Sequence, residues 1–483
     1  MIYRYYDNKE KLKQDLIAKF HDKPIDIQER GNNLIISLQA KQYVITAVNY
    51  DLPIRSFSIP FFPEDGLELI TDRERSEIDD ILESICNTYS NKEISAIIDD
   101  MQVCKWYSNA NEGVLSNVAI IWRDHFLEEN IGLLNGLVTM GVKPENMMVL
   151  DKGDKTKHQH EITETFKKMG FVVDVLDNAA INDIDKNPIA IQLITGFIES
   201  KRENKVIVID DGAIVSKILN TRKFENVIGV IELTEMGLRR IRKLDEDLLY
   251  PVLNVAKTSL KRNLTYPEIS NSIFVRIIEL LGGEKLIGRS VLICGFGDLG
   301  SILADRLKNF GVRVSIFDPD IMKLIVASER GYNTYKSAID AVKAERPFLV
   351  VGASGYNSLD ENLIENLQDG SYVTAGATAD LSVFLRYEQA GVPYKKIKNL
   401  GTQYLIKGKK ISVLGNGRSV NLFESEAIPN RANDIFKAGI LVTTKNLALK
   451  YQELKNVLDV ENVELWISES GILEKYYDTY LDR

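Results

Sequence analysis

The chain has little cysteine, little histidine and no long apolar run, and each scarcity closes off a class of protein. Among 483 residues there are three cysteines, Cys86, Cys104 and Cys294. Their spacing suits neither a disulfide framework nor a thiolate metal site, which fits a reducing compartment. No apolar run approaches the roughly 20 residues of a membrane-spanning helix, and the opening Met1-Ile-Tyr-Arg-Tyr-Tyr-Asp7 lacks the apolar stretch of a secretory signal. A cytoplasmic location without a membrane partner is expected. Excess positive charge is missing too: 60 Lys and Arg against 69 Asp and Glu leave a net charge of −9. With no basic stripe to offset that balance, nucleic acid is not an expected partner. The short groups Lys395-Lys396 and Lys407-Gly408-Lys409-Lys410 read as solvated turns. G-x-S-x-G, Walker A and zinc-ligand patterns are absent.

What is present is α/β patterning in a chain long enough for two to four domains. Residues 1–66 read as a small β-rich N-terminal unit, with short strands near 25–29, 33–39 and 42–50, closed by Pro60, Pro63 and Gly66. Residues 67–270 read as an α/β substrate-type domain with a helical lead-in over 67–113, as in Ile78 to Ile85. Its strands are expected at 118–122, 146–150, 172–176, 205–209 and 227–231. Residues 271–420 read as a Rossmann-type domain, with strands at 290–294, 312–317, 348–352, 371–375, 397–400 and 411–414. Residues 421–483 form a C-terminal helical segment returning to the substrate domain, plus a tail. That tail, Ile472 to Tyr480, is amphipathic and tyrosine-rich, the composition of a packing or oligomer contact, so a homo-oligomer is expected.

The strongest motif is Gly295-Phe296-Gly297-Asp298-Leu299-Gly300, placed between the strand pattern Ser290 to Cys294 and a helical pattern through Ile302, Leu303, Leu307 and Phe310. Gly295 permits the tight turn, Gly297 lets the backbone approach a pyrophosphate, and Gly300 lets helix and strand pack closely. The helix N-terminus offers free N–H groups to the same anion. Asp318, 18 residues past Gly300 at the end of the next strand, suits two ribose hydroxyls and would repel a 2′-phosphate. The motif therefore predicts NAD as cofactor.

Acid–base candidates are few because the four histidines are His21, His125, His158 and His160. His125 follows the strand pattern 118–122, at the carboxyl end where α/β sheets place ligands. His158 and His160 share a face only in a strand, and Asp154 to Lys157 beside them read as a solvated loop or helix start; no metal site is expected. Asp210 and Asp211 follow the apolar run Val206 to Ile209, so one carboxylate can cap the next helix while the other faces a cleft. Lys261 lies between the two α/β regions. Next to a nicotinamide it could accept an alcohol proton, given a depressed pKa; a surface lysine is the plainer reading.

Order and motifs together resemble S-adenosylhomocysteine hydrolase over roughly 115–445. Gly295 to Gly300 resembles that family's G-Y-G-D-V-G turn, and Gly417-Arg-Ser-Val-Asn-Leu422 its E-G-R-L-V-N-L element. Pro251-Val-Leu-Asn-Val255 followed by Lys261 is similar to the segment that leads to the family lysine, and Ile209-Asp-Asp-Gly212 to its L-D-D-G strand end. The resemblance implies tightly held NAD that oxidises a ribose 3′-hydroxyl. The ketone acidifies the 4′-proton, a 5′-thiol leaves, water adds, and the ketone is reduced again. It implies that His125 and Asp211 are an acid/base pair near the 5′ position, and that Lys261 assists oxidation. Thr234 would contact substrate, Glu129 the base, and Asn421 would approach the nicotinamide.

The departures from the family pattern are as informative. Its E-E-T-T-T-G stands here as Glu232-Leu-Thr-Glu-Met-Gly237, leaving Leu233 at the glutamate position. Thr265 and Tyr266 replace an aspartate and an asparagine. Thr374-Ala-Gly-Ala-Thr-Ala379 and Ala427-Ile-Pro-Asn-Arg431 each lack a histidine, at Ala377 and Ile428. Each unpaired polar group left on a ligand would cost about 1–3 kcal/mol. Two readings follow: an NAD-dependent enzyme acting on a different nucleoside or sugar, or a non-catalytic NAD-binding sensor or scaffold. Ordinary adenosylhomocysteine hydrolysis is the less favoured third.

Overall fold

The structure is a computed structural model and describes residues 2–6, 9–20, 25–31, 33–38, 41–48, 67–70, 88–154, 156–177, 186–244, 247–397, 400–415, 417–423 and 425–482. Among the described residues there are three sheets. The first is antiparallel, with β1 (Ile2–Tyr6), β2 (Ile25–Arg30), β3 (Asn33–Leu38), β4 (Lys41–Val48) and β5 (Leu67–Ile70) in the order β1-β5-β4-β3-β2. Two features here differ from the sequence expectation. A helix, Lys9–Lys19, follows β1, and Leu67–Ile70 is a strand clamped between β1 and β4, where a helical lead-in was expected to begin. The expected helix around Ile78 to Ile85 lies outside the described residues, as does His21.

The second sheet is wholly parallel. It comprises β6 (Val118–Asp124), β7 (Met147–Asp151), β8 (Val172–Val175), β9 (Lys205–Asp210), β10 (Val227–Glu232), β11 (Val252–Asn254) and β20 (Leu458–Asp459), in the order β20-β11-β10-β9-β6-β7-β8. Runs such as Val206-Ile-Val-Ile209 are buried end to end, as a sheet covered by helices on both faces requires. The order in which strands are added reverses between β6 and β9, so the loops after these two strands part and leave a crevice at their carboxyl ends. The C-terminal segment completes this unit: β20 pairs with β11, and the helix Asn430–Lys450 packs on helices Gln102–Ala110 and Glu128–Thr139. Met101 precedes the helix Gln102–Ala110 and cannot cap it, so the Asp434 carboxylate accepts the free N–H groups of Val103 at 2.7 Å and Cys104 at 2.9 Å.

The third sheet comprises β12 (Ser290–Cys294), β13 (Arg313–Phe317), β14 (Asn333–Tyr335), β15 (Leu349–Gly352), β16 (Tyr372–Ala375), β17 (Tyr394–Ile397), β18 (Gly401–Ile406) and β19 (Lys409–Leu414), in the order β14-β13-β12-β15-β16-β19-β18-β17. The strands from β14 to β19 in that order run parallel, and β18 and β17 are added antiparallel. The strand expected at 397–400 lies partly outside the described residues; Ile397 ends β17 and Gly401 begins β18, the two strands of an antiparallel extension. Only Lys407-Gly408 forms a turn, both with positive φ; Lys395, Lys396, Lys409 and Lys410 lie within strands. The architecture is α/β: a Rossmann-type unit, a second α/β unit and a small β-rich N-terminal sheet. Among the described residues no helix is long and apolar enough to cross a membrane.

Candidate active site and cofactor site

In the third sheet the strand order reverses between β12 and β15, and the glycine motif lies there. Gly295 has φ 118°, a conformation that side chains disfavour, and a Cβ there would lie 2.7 Å from the Ala353 backbone carbon after β15. A Cβ on Gly300 would overlap the Gly295 carbonyl. Gly297 starts the helix Asp298–Asn309 without any side-chain cap, which leaves first-turn N–H groups for an anion. Asp318 is buried at the end of β13; its oxygens accept from the N–H of Phe296 at 2.7 Å and of Asp320 at 2.9 Å, with Lys323 at 3.5 Å. Phe296 packs edge-on against Tyr332, Asp298 lies 3.6 Å from Arg262, and the Leu299 carbonyl accepts from Ser270. Asn421 is buried, its Oδ1 accepting from Ser419 at 2.6 Å. These residues fit a dinucleotide: Gly295 and Gly300 leave no space for a side chain, Gly297 faces open space, and an uncapped helix end adjoins a buried carboxylate.

The crevice of the second sheet gathers charge instead. His125 follows β6, Lys152 and Asp154 follow β7, and Asp211 follows β9. His125 Nδ1 bonds the Asp154 carboxylate, while Nε2 faces the Lys152 ammonium at 3.2 Å and Asp211 at 3.8 Å. Lys152 also donates to Asp211 at 2.6 Å. Oxygen and nitrogen atoms of Asp124, His125 and Asp211 approach within 4.8 Å of one another, but the lysine ammonium already supplies the positive charge there, and we do not read them as metal ligands. Burial and Lys152 work against protonation of His125, yet the Asp154 and Asp211 carboxylates prevail and raise its pKa. Burial would raise Asp211 and Asp154 as well. Lys152 and His125 outweigh it for Asp211, and His125, Lys152 and Arg418 for Asp154, so both stay well below the usual carboxylate range.

Asp210 turns the other way. Its Oδ2 accepts from Ser216 N at 2.9 Å and Oγ at 2.8 Å, serving the helix Ile214–Leu219. Glu232 is likewise internal: Oε1 accepts from Thr234 N, Thr234 Oγ and Gly212 N at 2.8–3.0 Å. Burial first, then Asp210 and Asp211, push its carboxyl well above the usual range. Thr234 is thereby committed within the protein, since its hydroxyl donates to Glu232 and accepts from Gly237 N.

Lys261 opens a π-helical turn, Lys261–Thr265, after β11. Its amine lies 4.0 Å from the centre of the Phe436 ring. Burial lowers its pKa to about 8 against the opposing pull of Asp211; Lys437, Asp124 and Lys152 also act on its charge. His125, Asp211 and Lys261 thus share one electrostatic neighbourhood. Glu129 lies deeper, beside the helix Asn430–Lys450. Its Oε1 accepts from Asn433 at 3.1 Å with Lys437 at 3.9 Å, its Oε2 is buried without a hydrogen-bond partner, and burial raises its pKa.

Sequence reasoning missed Lys152, Asp154 and Arg418. The segment expected to be a solvated loop buries Asp154, Thr156 and His158. His160 is exposed and His158 packs edge-on against Tyr89, so the two do not converge. The available signal was position: Asp151 to Asp154 directly follows an apolar strand, as His125 and Asp211 do.

Residues 279–427 match the NAD-binding domain model of S-adenosyl-L-homocysteine hydrolase. Over this segment the chain is similar to that family, at low identity. The adenosylhomocysteinase of Aeropyrum pernix is 25% identical over 270 residues, covering 53% of this chain and 64% of the relative. That of a Nostoc species is 28% identical over 240 residues, covering 47% and 55%. The S-inosyl-L-homocysteine hydrolase of Methanocaldococcus jannaschii is 24% identical over 259 residues, covering 52% and 61%. Each match thus spans less than two thirds of the relative. The matched domain is an NAD-binding one, and the glycine cradle described above lies within the matched residues.

Proposed function

We propose that the chain holds NAD as a built-in redox catalyst and uses it for reversible 3′-oxidation of a nucleoside or related sugar. The observation that carries this reading is Lys261: a lysine with a pKa near 8, poised on Phe436 and within electrostatic reach of the acid/base cluster. When bound, NAD supplies a hydride acceptor that later returns the hydride, so turnover needs no second redox partner. Lys261 in its neutral form takes the proton of the hydroxyl being oxidised. His125 and Asp211, joined through Lys152, move a proton at the neighbouring position. Glu129 reads the base. Gly295 to Gly300 and Asp318 hold the cofactor, and Asn421 borders it. Exposed Leu473, Tyr477 and Leu481 on the tail support a homo-oligomer in the same proposal, checked by native mass spectrometry.

A second reading, a non-catalytic NAD-binding sensor or scaffold, is favoured by one set of observations. Leu233 and Ile428 are buried and apolar where the family pattern has polar side chains. Thr265 softens that loss, because its hydroxyl is buried without a hydrogen-bond partner and would welcome one from a ligand. The experiment is to add candidate nucleosides to the NAD-loaded protein and follow the absorbance of reduced nicotinamide. A rise that Lys261→Met abolishes supports the enzyme; no rise with any nucleoside overturns it in favour of binding alone.

A further inference from the structure

His125 is held by a carboxylate that the two α/β units share. Asp154 is 2% exposed and uses both oxygens. Oδ2 binds Nδ1 of His125, and Oδ1 receives the Arg418 guanidinium at 3.4 Å. Arg418 comes from beyond β19, in the cofactor-binding unit, and its second nitrogen donates to Asp177 at 2.6 Å. The loop is built for this meeting. Gly153 has φ +78°, and a Cβ there would lie 2.6 Å from Asp177 Oδ2, so only glycine lets Asp177 and Asp154 flank one guanidinium.

The consequence for His125 is chemical. With Nδ1–H directed at Asp154, the neutral ring presents its Nε2 lone pair to Lys152 and Asp211; without Asp154 the proton could sit on either nitrogen. The charged groups around the ring are Asp124 from β6, Asp151, Lys152 and Asp154 from the end of β7, Asp211 from β9, and Arg418 from the other unit. Among these, Asp154 takes Nδ1 and Arg418 braces Asp154.

We propose that Asp154 and Arg418 are positioning residues for His125: Asp154 fixes the imidazole through Nδ1, and Arg418 makes that fixation depend on the contact between the cofactor-binding and substrate units. This rests on the proposed acid/base use of His125. It adds a requirement that the family resemblance does not, namely that assembly of the acid/base group is coupled to how the two units meet.

The test uses the full NAD-loaded chain labelled at its histidines, with His125 assigned by loss of its signal in His125→Gln. A carboxylate-bound Nδ1–H gives a proton resonance protected from exchange. It should be present in the parent and in Arg418→Lys, and lost in Asp154→Asn and Arg418→Ala, with NAD content and melting temperature retained. The pKa of His125 should fall in Asp154→Asn, because the Asp154 carboxylate favours the protonated ring. An unchanged Nδ1–H resonance and unchanged titration in Asp154→Asn would overturn the proposal. Both readouts are independent of turnover, so failure to oxidise any nucleoside, which would sink the functional reading, leaves this result legible. Where turnover is found, Asp154→Asn should slow the His125-dependent step by roughly 10²- to 10⁴-fold and move the His125 limb of the pH profile to lower pH, while nicotinamide reduction through Lys261 persists. Equal slowing of both steps with an unmoved limb would mark Asp154 as merely structural.

Discussion

The two large sheets are wound alike, yet they make their sites from different material. Each places its first strand beside its fourth and opens a crevice there: β12 against β15 in one, β6 against β9 in the other. In the cofactor sheet the crevice is lined by main chain, since Gly295 and Gly300 leave no room for a side chain. In the other sheet it is lined by titratable side chains, His125, Lys152, Asp154 and Asp211, which pair with one another. A backbone cradle has few solutions and keeps its sequence signature. A network of charges has many, because what matters is where the charge sits and not which strand end delivers it.

The sharpest way to break the comparison is to put a side chain where only backbone fits. Gly300→Val should eliminate copurifying NAD, measured as nucleotide released on denaturation, because the new methyl groups collide with the Gly295 turn. Gly196→Ala, on a helix position where a Cβ meets nothing within 4 Å, should retain all the NAD and stabilise the fold by up to about 1 kcal/mol. On the other sheet the effects should be chemical and leave the cofactor in place. Asp211→Asn strips Lys152 and His125 of their shared carboxylate and should cut turnover by roughly 10²- to 10⁴-fold with NAD content unchanged. A variant that instead lost its NAD would show that the two sites are one structural unit.

The pH dependence of the oxidation step gives a finer comparison. Lys261 acts when neutral, and burial lowers its pKa to about 8. The neutral fraction therefore rises about tenfold per pH unit below 8 and saturates above it. Nicotinamide reduction in a single turnover should follow that curve. Lys261→Arg, which stays protonated throughout, should show a low rate without the inflection.

How much of this was legible in the sequence follows from the same contrast. Gly295, Gly297, Gly300 and Asp318 announce their site because turn geometry, helix end and carboxylate must recur at fixed spacing. The parallel strands were legible because runs such as Val206 to Ile209 are buried on both faces. Short edge strands such as β14, β17 and β20 were not, since half-exposed residues carry little pattern. Asp154 looked like part of a solvated loop because its neighbours Lys155 and Lys157 are charged; its burial depends on His125 and Arg418, which are 29 and 264 residues away. Glu232 carries no such signal. It stands one residue before the family glutamate position, yet strand alternation turns it into the interior, where Thr234 and Gly212 engage it.

The smallest expected effect concerns Glu129, and it separates binding from chemistry within the substrate crevice. One oxygen is engaged by Asn433, the other is buried without a hydrogen-bond partner, and burial raises the pKa. A ligand base placed there meets a carboxyl group that accepts from amino or imino N–H groups. Glu129→Gln keeps the shape but offers a fixed amide in place of a carboxyl, so a base with a ring N–H loses an acceptor while a base with an unprotonated ring nitrogen gains a donor. One hydrogen bond exchanged in this way is worth about 1 kcal/mol, which corresponds to a five- to tenfold shift in relative binding between amino- and keto-purine nucleosides. Competition of the two nucleosides for the NAD-loaded protein reads that ratio directly. Because Glu129 touches neither Lys261 nor His125, the maximal rate of nicotinamide reduction should stay within a factor of about three; a larger fall would place Glu129 in the proton-transfer machinery and move the base contact elsewhere.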